Sequence, residues 1–244
     1  MRAIRFLLFI LLCFTLTCAW ADIAPRPWGR SPGVDKASRR QVKASMADAD
    51  VQVHIRSDQA RRPGKEAPLS ADVQSEFDIV CSAAPEGGKD LDLVFPIYYT
   101  DEAAPRRRGF SVTIDGKPAA AVKKATWSAT DENNKPRTQS GYMWRLLGLK
   151  GGQKRRIAVR YSLVLPQDEG KAHFTYVLRS GAYWDGPIGQ EVVNVSADKG
   201  LRMEVLTPVE LKPEQRTDTS LTWRITKAKP AEDIRLVIVP DAKQ

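Results

Sequence analysis

Only two histidines, His54 and His173, are available for acid–base or metal chemistry in the 244 residues. Neither belongs to a helical H-E-x-x-H or to a Cys/His spacing, so the pattern of a zinc site is missing. A Ser-His-Asp triad would need one of them beside a serine on a sharp turn, and no G-x-S-x-G occurs. Cys81 is the one cysteine beyond the N-terminal segment that holds Cys13 and Cys18. It shares parity with Phe77 and Ile79, which predicts a core thiol, and nucleophilic use would need a partner base. Paired carboxylates can cleave glycosides without histidine. Asp101-Glu102 and Asp131-Glu132 are the candidates, both in polar, turn-like stretches where solvated acids are the ordinary reading. Asp131, Glu132, Asn133 and Asn134 offer oxygens for calcium, but not at EF-hand spacing. No P-loop or Rossmann glycine pattern is present. The residues therefore name no catalytic group, no metal ligand and no cofactor.

Binding chemistry is better represented. Basic clusters recur at Arg61-Arg62, Arg106-Arg107-Arg108, Lys123-Lys124 and Lys154-Arg155-Arg156. A solvated surface explains them; contact with an unknown protein or an anionic envelope polymer is the sharper reading, carried by Arg106, Arg107 and Arg108. No stacking aromatics accompany the charges, which argues against nucleic acid. The formal charge is +9, from 38 Lys and Arg against 29 Asp and Glu. Removing the first 21 residues takes away Arg2 and Arg5 and no acid, leaving +7, a mild bias toward acidic partners.

The second candidate is a loop. Phe174, Tyr176 and Leu178 alternate with Thr175, Val177 and Arg179, the period of a strand with one buried face. Val193 and Val195 resume the alternation. Between them, Ser180 to Gly189 holds Gly181, Gly186, Gly189 and Pro187, residues that let a chain turn sharply. Tyr183, Trp184 and Asp185 sit in this bend. They are candidates for ligand or partner contact, but the reading favoured for Trp184 is that it folds back and plugs one end of a β-sandwich core.

Ser180-Gly181-Ala182-Tyr183-Trp184-Asp185-Gly186-Pro187-Ile188-Gly189 resembles the S/T-G-A-x-W-x-G-P-I-G loop of a family of bacterial secreted β-proteins of unknown function. Asp22-Ile23-Ala24-Pro25-Arg26-Pro27, Phe110-Ser111-Val112-Thr113-Ile114-Asp115-Gly116 and the stretch Leu147 to Tyr161 resemble other parts of that family in the same order. The resemblance implies an exported all-β protein and brings no site residues with it.

The elements that must position these groups are strands. Val51, Val53 and Ile55 alternate, as do Phe77, Ile79 and Cys81. Leu91, Leu93, Phe95 and Ile97 alternate too, with Pro96 marking an edge or an end. Phe110, Val112 and Ile114 run into Asp115-Gly116, a hairpin signal, with Ala121 to Ser128 as the expected return strand. Tyr142, Trp144 and Leu146 follow, then Ile157, Val159, Tyr161, Leu163 and Leu165. Trp144 and Trp223 share parity with apolar neighbours, which predicts core packing. These patterns predict an immunoglobulin-like β-sandwich over 46–165. A second, smaller β-unit over 166–244 packs on the first or enlarges it. Residues 22–45, rich in Pro and Gly, read as a flexible N-terminal arm with Trp28 as its one large anchor.

Residues 1–21 read as a signal peptide: Arg2 and Arg5, an apolar Phe6 to Leu16, then Ala19-Trp20-Ala21. The apolar run is short for a membrane span, and no second one follows, so no span is expected in the mature chain. Thr17 stands where lipidation at Cys18 would call for a smaller residue. The first expectation is a secreted or periplasmic, non-catalytic binding or envelope-structural protein; the alternative is a hydrolase or carbohydrate-active module using loop carboxylates. N-terminal sequencing of exported protein should begin at Asp22, and a lipid-modified Cys18 at the terminus would overturn that cleavage.

Overall fold

The computed structural model describes residues 24–25, 42–57, 68–99, 107–130, 136–178, 184–206, 211–230 and 232–241. The leader, Trp28, and the acids at 101–102 and 131–132 lie outside them. The described residues form sixteen strands. The first nine are β1 (Ala24–Pro25), β2 (Lys43–Ser57), β3 (Leu69–Ala83), β4 (Lys89–Tyr99), β5 (Arg107–Ile114), β6 (Lys117–Pro118), β7 (Lys123–Thr130), β8 (Pro136–Leu149) and β9 (Lys154–Val164). The rest are β10 (Gln167–Asp168), β11 (Lys171–Tyr176), β12 (Ile188–Ala197), β13 (Leu201–Val205), β14 (Gln215–Arg216), β15 (Ser220–Ala228) and β16 (Ile234–Pro240).

An eight-stranded sheet runs β14-β15-β12-β2-β3-β9-β5-β6. Two four-stranded sheets, β1-β4-β8-β7 and β10-β11-β16-β13, complete the fold. Their buried side chains form one cluster with the inner face of the large sheet, so the architecture is an all-β sandwich. The large sheet exceeds either sheet of the seven-stranded immunoglobulin arrangement. Strands from both sides of residue 165 share it. Of the expected arm, Ala24–Pro25 pairs with β4, and residues 43–45 already belong to β2.

Period-2 patterning assigns the faces. Val51, Val53, Ile55, Phe77, Ile79, Cys81, Ile157, Val159, Tyr161 and Leu163 point inward and are nearly inaccessible. An aromatic group ties β5 and β9 to β4 and β8. Phe110 stacks on Tyr142 with centroids 3.9 Å apart, and Phe95 meets Phe110 and Tyr161 edge-on at 5.7 and 5.4 Å. Such pairs contribute about 0.5–1.5 kcal/mol beyond their buried area. Trp144 and Trp223 are both 1% exposed. Pro96 lies beyond the residues of β4 that pair with β1, and a register shift follows it before Tyr98.

Three local departures have physical causes. Asp115 (φ 51) and Gly116 (φ 78) make the tight turn expected of this dipeptide. The return strand, however, is only β6. Pro118 has no N–H to extend the ladder, Ala121 takes φ 53, and the chain crosses so that β7 pairs with β8 instead of β5. In β2 a register shift between Met46 and Asp48 lets both Met46 and Ala49 face the core. One inserted residue reverses the alternation in this way. In β11 and just after it, Thr175 and Val177 are buried as well as Phe174, Tyr176 and Leu178. The expected single buried face is therefore two.

Every pairing among the described strands is antiparallel except β12 with β2, which runs from Gln190↔Asp48 to Ala197↔Ile55. Gly189 stands at its entrance. A Cβ there would collide with the Ala47 carbonyl oxygen, whereas a Cβ on Gly186 meets nothing within 4 Å. Gly189→Ala should therefore destabilise by about 1–3 kcal/mol through backbone overpacking. Gly186→Ala, at φ 86, should cost about 1–2 kcal/mol from the left-handed conformation alone. Urea unfolding of both variants checks this; a Gly189→Ala midpoint equal to wild type would refute the close approach.

Candidate functional site

The outer face of the eight-stranded sheet is polar because the residues between the inward apolar ones are amides, hydroxyls and charges. Strand register lays them in rows. One row reads Asn194, Gln52, Gln74, Arg160 and Ser111. The row beside it reads Ser196, His54, Asp72 and Ser162, and the row on the other side includes Asp50, Glu76, Ala158 and Thr113. Two grooves open on this face. The first, of about 410 Å³, is lined by Gln52, His54, Gln74, Arg160, Ser162 and Ser196 among others. The second, of about 380 Å³, includes Glu76, Ser111, Thr113, Arg156 and Arg160. Arg160 lines both.

Most charges on this face are already neutralised. Arg56 pairs with Asp72 at 2.8 Å. Burial raises the Asp72 carboxyl, but hydrogen bonds from Arg56 and Ser162 outweigh it and hold the group below its ordinary value. Asp78 takes a two-pronged bond from Arg156 (2.9 and 3.0 Å) and a contact from Lys154 at 2.8 Å. The Arg156 bond, opposed by burial and helped by Lys154, lowers its carboxyl likewise. Arg155 pairs with Asp115. All three basic residues of the run 154–156 are thus ion-paired, and the run is no open anion site. Arg160 is exposed and forms no ion pair with a described residue.

His54 stands beside a serine after all. Its Nδ1 is 3.0 Å from the Ser196 hydroxyl and its Nε2 3.1 Å from the Asp198 carboxylate. The contact has the members of a triad but not its surroundings. Ser196 lies within a strand paired on both sides, not on a sharp turn. Its hydroxyl also donates to the Val53 carbonyl at 3.2 Å. The next two amides are committed, Ala197 N–H to Thr219 and Asp198 N–H to Ile55. Neither is left to receive an oxyanion. His173 is held below its ordinary value by burial, and its Nδ1 has no partner. Burial pushes the Cys81 thiol up, against a hydrogen bond to Ala83, which makes it a poor nucleophile.

The loop candidates separate. Trp184 is 2% exposed and belongs to the core cluster. Asp185 is exposed but occupied: its N–H donates to the Ala44 carbonyl at 3.0 Å, and its carboxylate accepts from the Ala44 N–H at 3.1 Å. Tyr183 and Arg106 lie outside the described residues. Arg107 and Arg108 open β5, and Arg108 is the register partner of Ser162 at the groove's edge. Gly109, which follows at φ 65, lines the first groove. The acid pairs proposed for a hydrolase and the calcium candidates also lie outside the described residues.

Comparison with solved structures shows the fold. A candidate nutrient binding protein of Legionella pneumophila superposes with a TM-score of 0.62 at 16% identity, over 91% of this chain and 71% of that one. An M1 zinc metallopeptidase of Deinococcus radiodurans gives 0.40 at 15% identity, over 81% of this chain and 42% of that one. A candidate protease of Parabacteroides distasonis gives 0.32 at 10% identity, over 81% and 40%. The last two likenesses are too slight to argue from, and this chain spans less than half of either protein. No protein-family model and no curated protein matches the chain. Among the described residues no helix is long and apolar enough to cross a membrane, and no cluster of three or more metal-ligating side chains occurs.

Glu191 was invisible as a special residue in the sequence, although its parity with Val193 and Val195 points it inward. It is 0% exposed. Its Oε1 accepts a 2.7 Å hydrogen bond from Tyr176, and its Oε2 has no partner. Burial, against the Tyr176 bond, pushes the carboxyl from 4.5 up to about 7. Because the folded value is the higher one, the stability contributed by the neutral form is complete below pH 4.5. It is lost as pH rises to about 7, since the unfolded chain ionises first. Glu191→Gln should remove that loss and gain a few kcal/mol over wild type above pH 7. Urea midpoints measured from pH 4 to 8.5 test it; parallel pH curves for both proteins would contradict it.

Proposed function

We propose that this is an exported, non-catalytic binding protein whose ligand or partner sits on the outer face of the eight-stranded sheet around Arg160. The single observation that carries the reading is Arg160: an exposed guanidinium at the meeting of two grooves, without an ion partner among the described residues, on a face where Arg56 and Arg156 are neutralised. A guanidinium is a rigid fork suited to anionic groups. The basic run Arg106, Arg107 and Arg108 of the sequence favours a negatively charged partner, free or in an envelope polymer. Of the three loop candidates, Tyr183 stays a contact candidate from the sequence, since Trp184 is buried and Asp185 is bonded to Ala44. Export rests on the leader and on the resemblance of 180–189 to a secreted family. The fold shared with the Legionella protein fits a binding role.

The His54–Ser196–Asp198 contact favours a second reading, ester or amide hydrolysis. The committed amides after Ser196 weigh against it. Mature protein immobilised on beads and exposed to envelope extract should retain solutes or fragments identifiable by mass spectrometry. Arg160→Gln should lower retention by about 10- to 100-fold, the worth of a charge-assisted hydrogen bond, with an unchanged unfolding midpoint. Equal retention by both proteins would remove the groove as the site, and labelling of Ser196 by a fluorophosphonate would favour the hydrolase.

A further inference from the structure

We propose that the groove takes a sugar acid: a single carboxylate on Arg160 with hydroxyl groups spread over the neutral side chains around it. The inference rests on the groove being the binding site. It follows from how the side chains are sorted on the sheet.

Arg160 is the one guanidinium in both lobes without an ion partner among the described residues. It therefore offers one fork, matched to one planar carboxylate. Its row neighbours are uncharged. Gln74 is its register partner on β3, and Ser111 its partner on β5. Gln52 lies next to Gln74 on β2. Ser162 donates to Asp72, which leaves its oxygen free to accept. Amides and hydroxyls of this kind both give and receive hydrogen bonds, as sugar hydroxyls do.

The same face argues against other ligands. Glu76 and Asp50 occupy the adjacent row, and neither forms an ion pair with a described residue. Asp50 accepts instead from Gln52 at 2.7 Å. The Glu76 carboxylate shares the second groove with Arg160 and disfavours phosphates and other multiply charged anions more than a single carboxylate. Of the two rings on the lining, Tyr161 is 3% exposed and packs on Phe95 in the core, and the His54 imidazole is held between Ser196 and Asp198. Among the described lining residues no Phe, Tyr or Trp ring is exposed for stacking a nucleobase, and a wholly apolar ligand would leave the amides unpaired. Each lobe, at about 410 and 380 Å³, lies in the lower part of the range for small-molecule sites. Because the lobes share Arg160, a carboxylate there leaves room for a polyhydroxylated unit on either side.

Calorimetric titration of the mature chain tests the class with D-glucuronate, D-glucose, acetate and inorganic phosphate. Glucuronate should bind at least tenfold tighter than glucose, which lacks the carboxylate, and than acetate, which lacks the hydroxyls. Phosphate should not bind. Arg160→Gln should weaken glucuronate at least tenfold, and Gln74→Ala should weaken glucuronate while leaving acetate unchanged. Tighter binding of a uronate oligomer than of glucuronate supports the class and identifies a polymer as its source. Glucose binding as tightly as glucuronate, tight phosphate binding, or no heat with any probe overturns the sugar-acid class. If extract capture still depends on Arg160 in those cases, the groove remains the site with a different ligand. If nothing captured depends on Arg160, both readings fall.

Discussion

The parallel pairing of β12 with β2 is the constraint on which the rest depends. It joins residues about 140 positions apart along the chain, from Gln190↔Asp48 to Ala197↔Ile55. Without it, β12, β14 and β15 would form a separate sheet, and the outer face would end at β2. Two local features guide the entry. The register shift at Met46 and Asp48 lifts the backbone near Ala47, and Gly189 offers no Cβ to obstruct it. The two Asp185–Ala44 hydrogen bonds hold the preceding loop against β2. A pairing of such sequence separation forms only after a large loop-closure cost, which slows folding.

This joint makes the binding face. Gln52 and His54 come from β2, Ser196 from β12, Asp72 and Gln74 from β3, and Arg160 and Ser162 from β9. Every one of them alternates with a buried apolar neighbour, so the face is the outward half of strands whose inward half builds the core. Moving a strand by one residue would carry its polar groups into the core and its apolar ones to solvent. Core packing therefore fixes the geometry of the groove. Ion pairs such as Arg56–Asp72 and Arg156–Asp78 settle which cations stay available, more than they add stability at an exposed surface.

Beneath the same strands lies a polar exception. Tyr176 of β11 reaches Glu191 of β12 and so bonds the small sheet to the large one. A buried carboxyl with one unpartnered oxygen is tolerated while it stays neutral, because a neutral acid loses far less hydration on burial than its anion. The core is thus sound at mildly acidic pH, and the strain enters when the group ionises.

Period-2 alternation at Val51–Ile55, Phe77–Cys81 and Ile157–Leu165 revealed strands and their inward faces directly, since one face must leave water. The turn at Asp115-Gly116 was equally legible, because few residues accept two positive φ values in succession. Trp144 and Trp223 declared themselves by parity, and the glycine-rich setting of Trp184 made an inward indole a physical option. Alternation says which way a side chain points but not which strand lies beside it. The sequence therefore did not announce the β12–β2 pairing, the crossing of β7 to β8, or the bulge that reverses parity in β2. Glu191 followed the inward pattern, yet a carboxylate is normally read as exposed, and only its placement under Tyr176 explains it. Arg160 looked like any solvent-facing arginine between two inward-facing neighbours, Val159 and Tyr161. What singled it out was which arginines found carboxylates across the sheet and which did not, and partners that distant in sequence are decided by tertiary register alone.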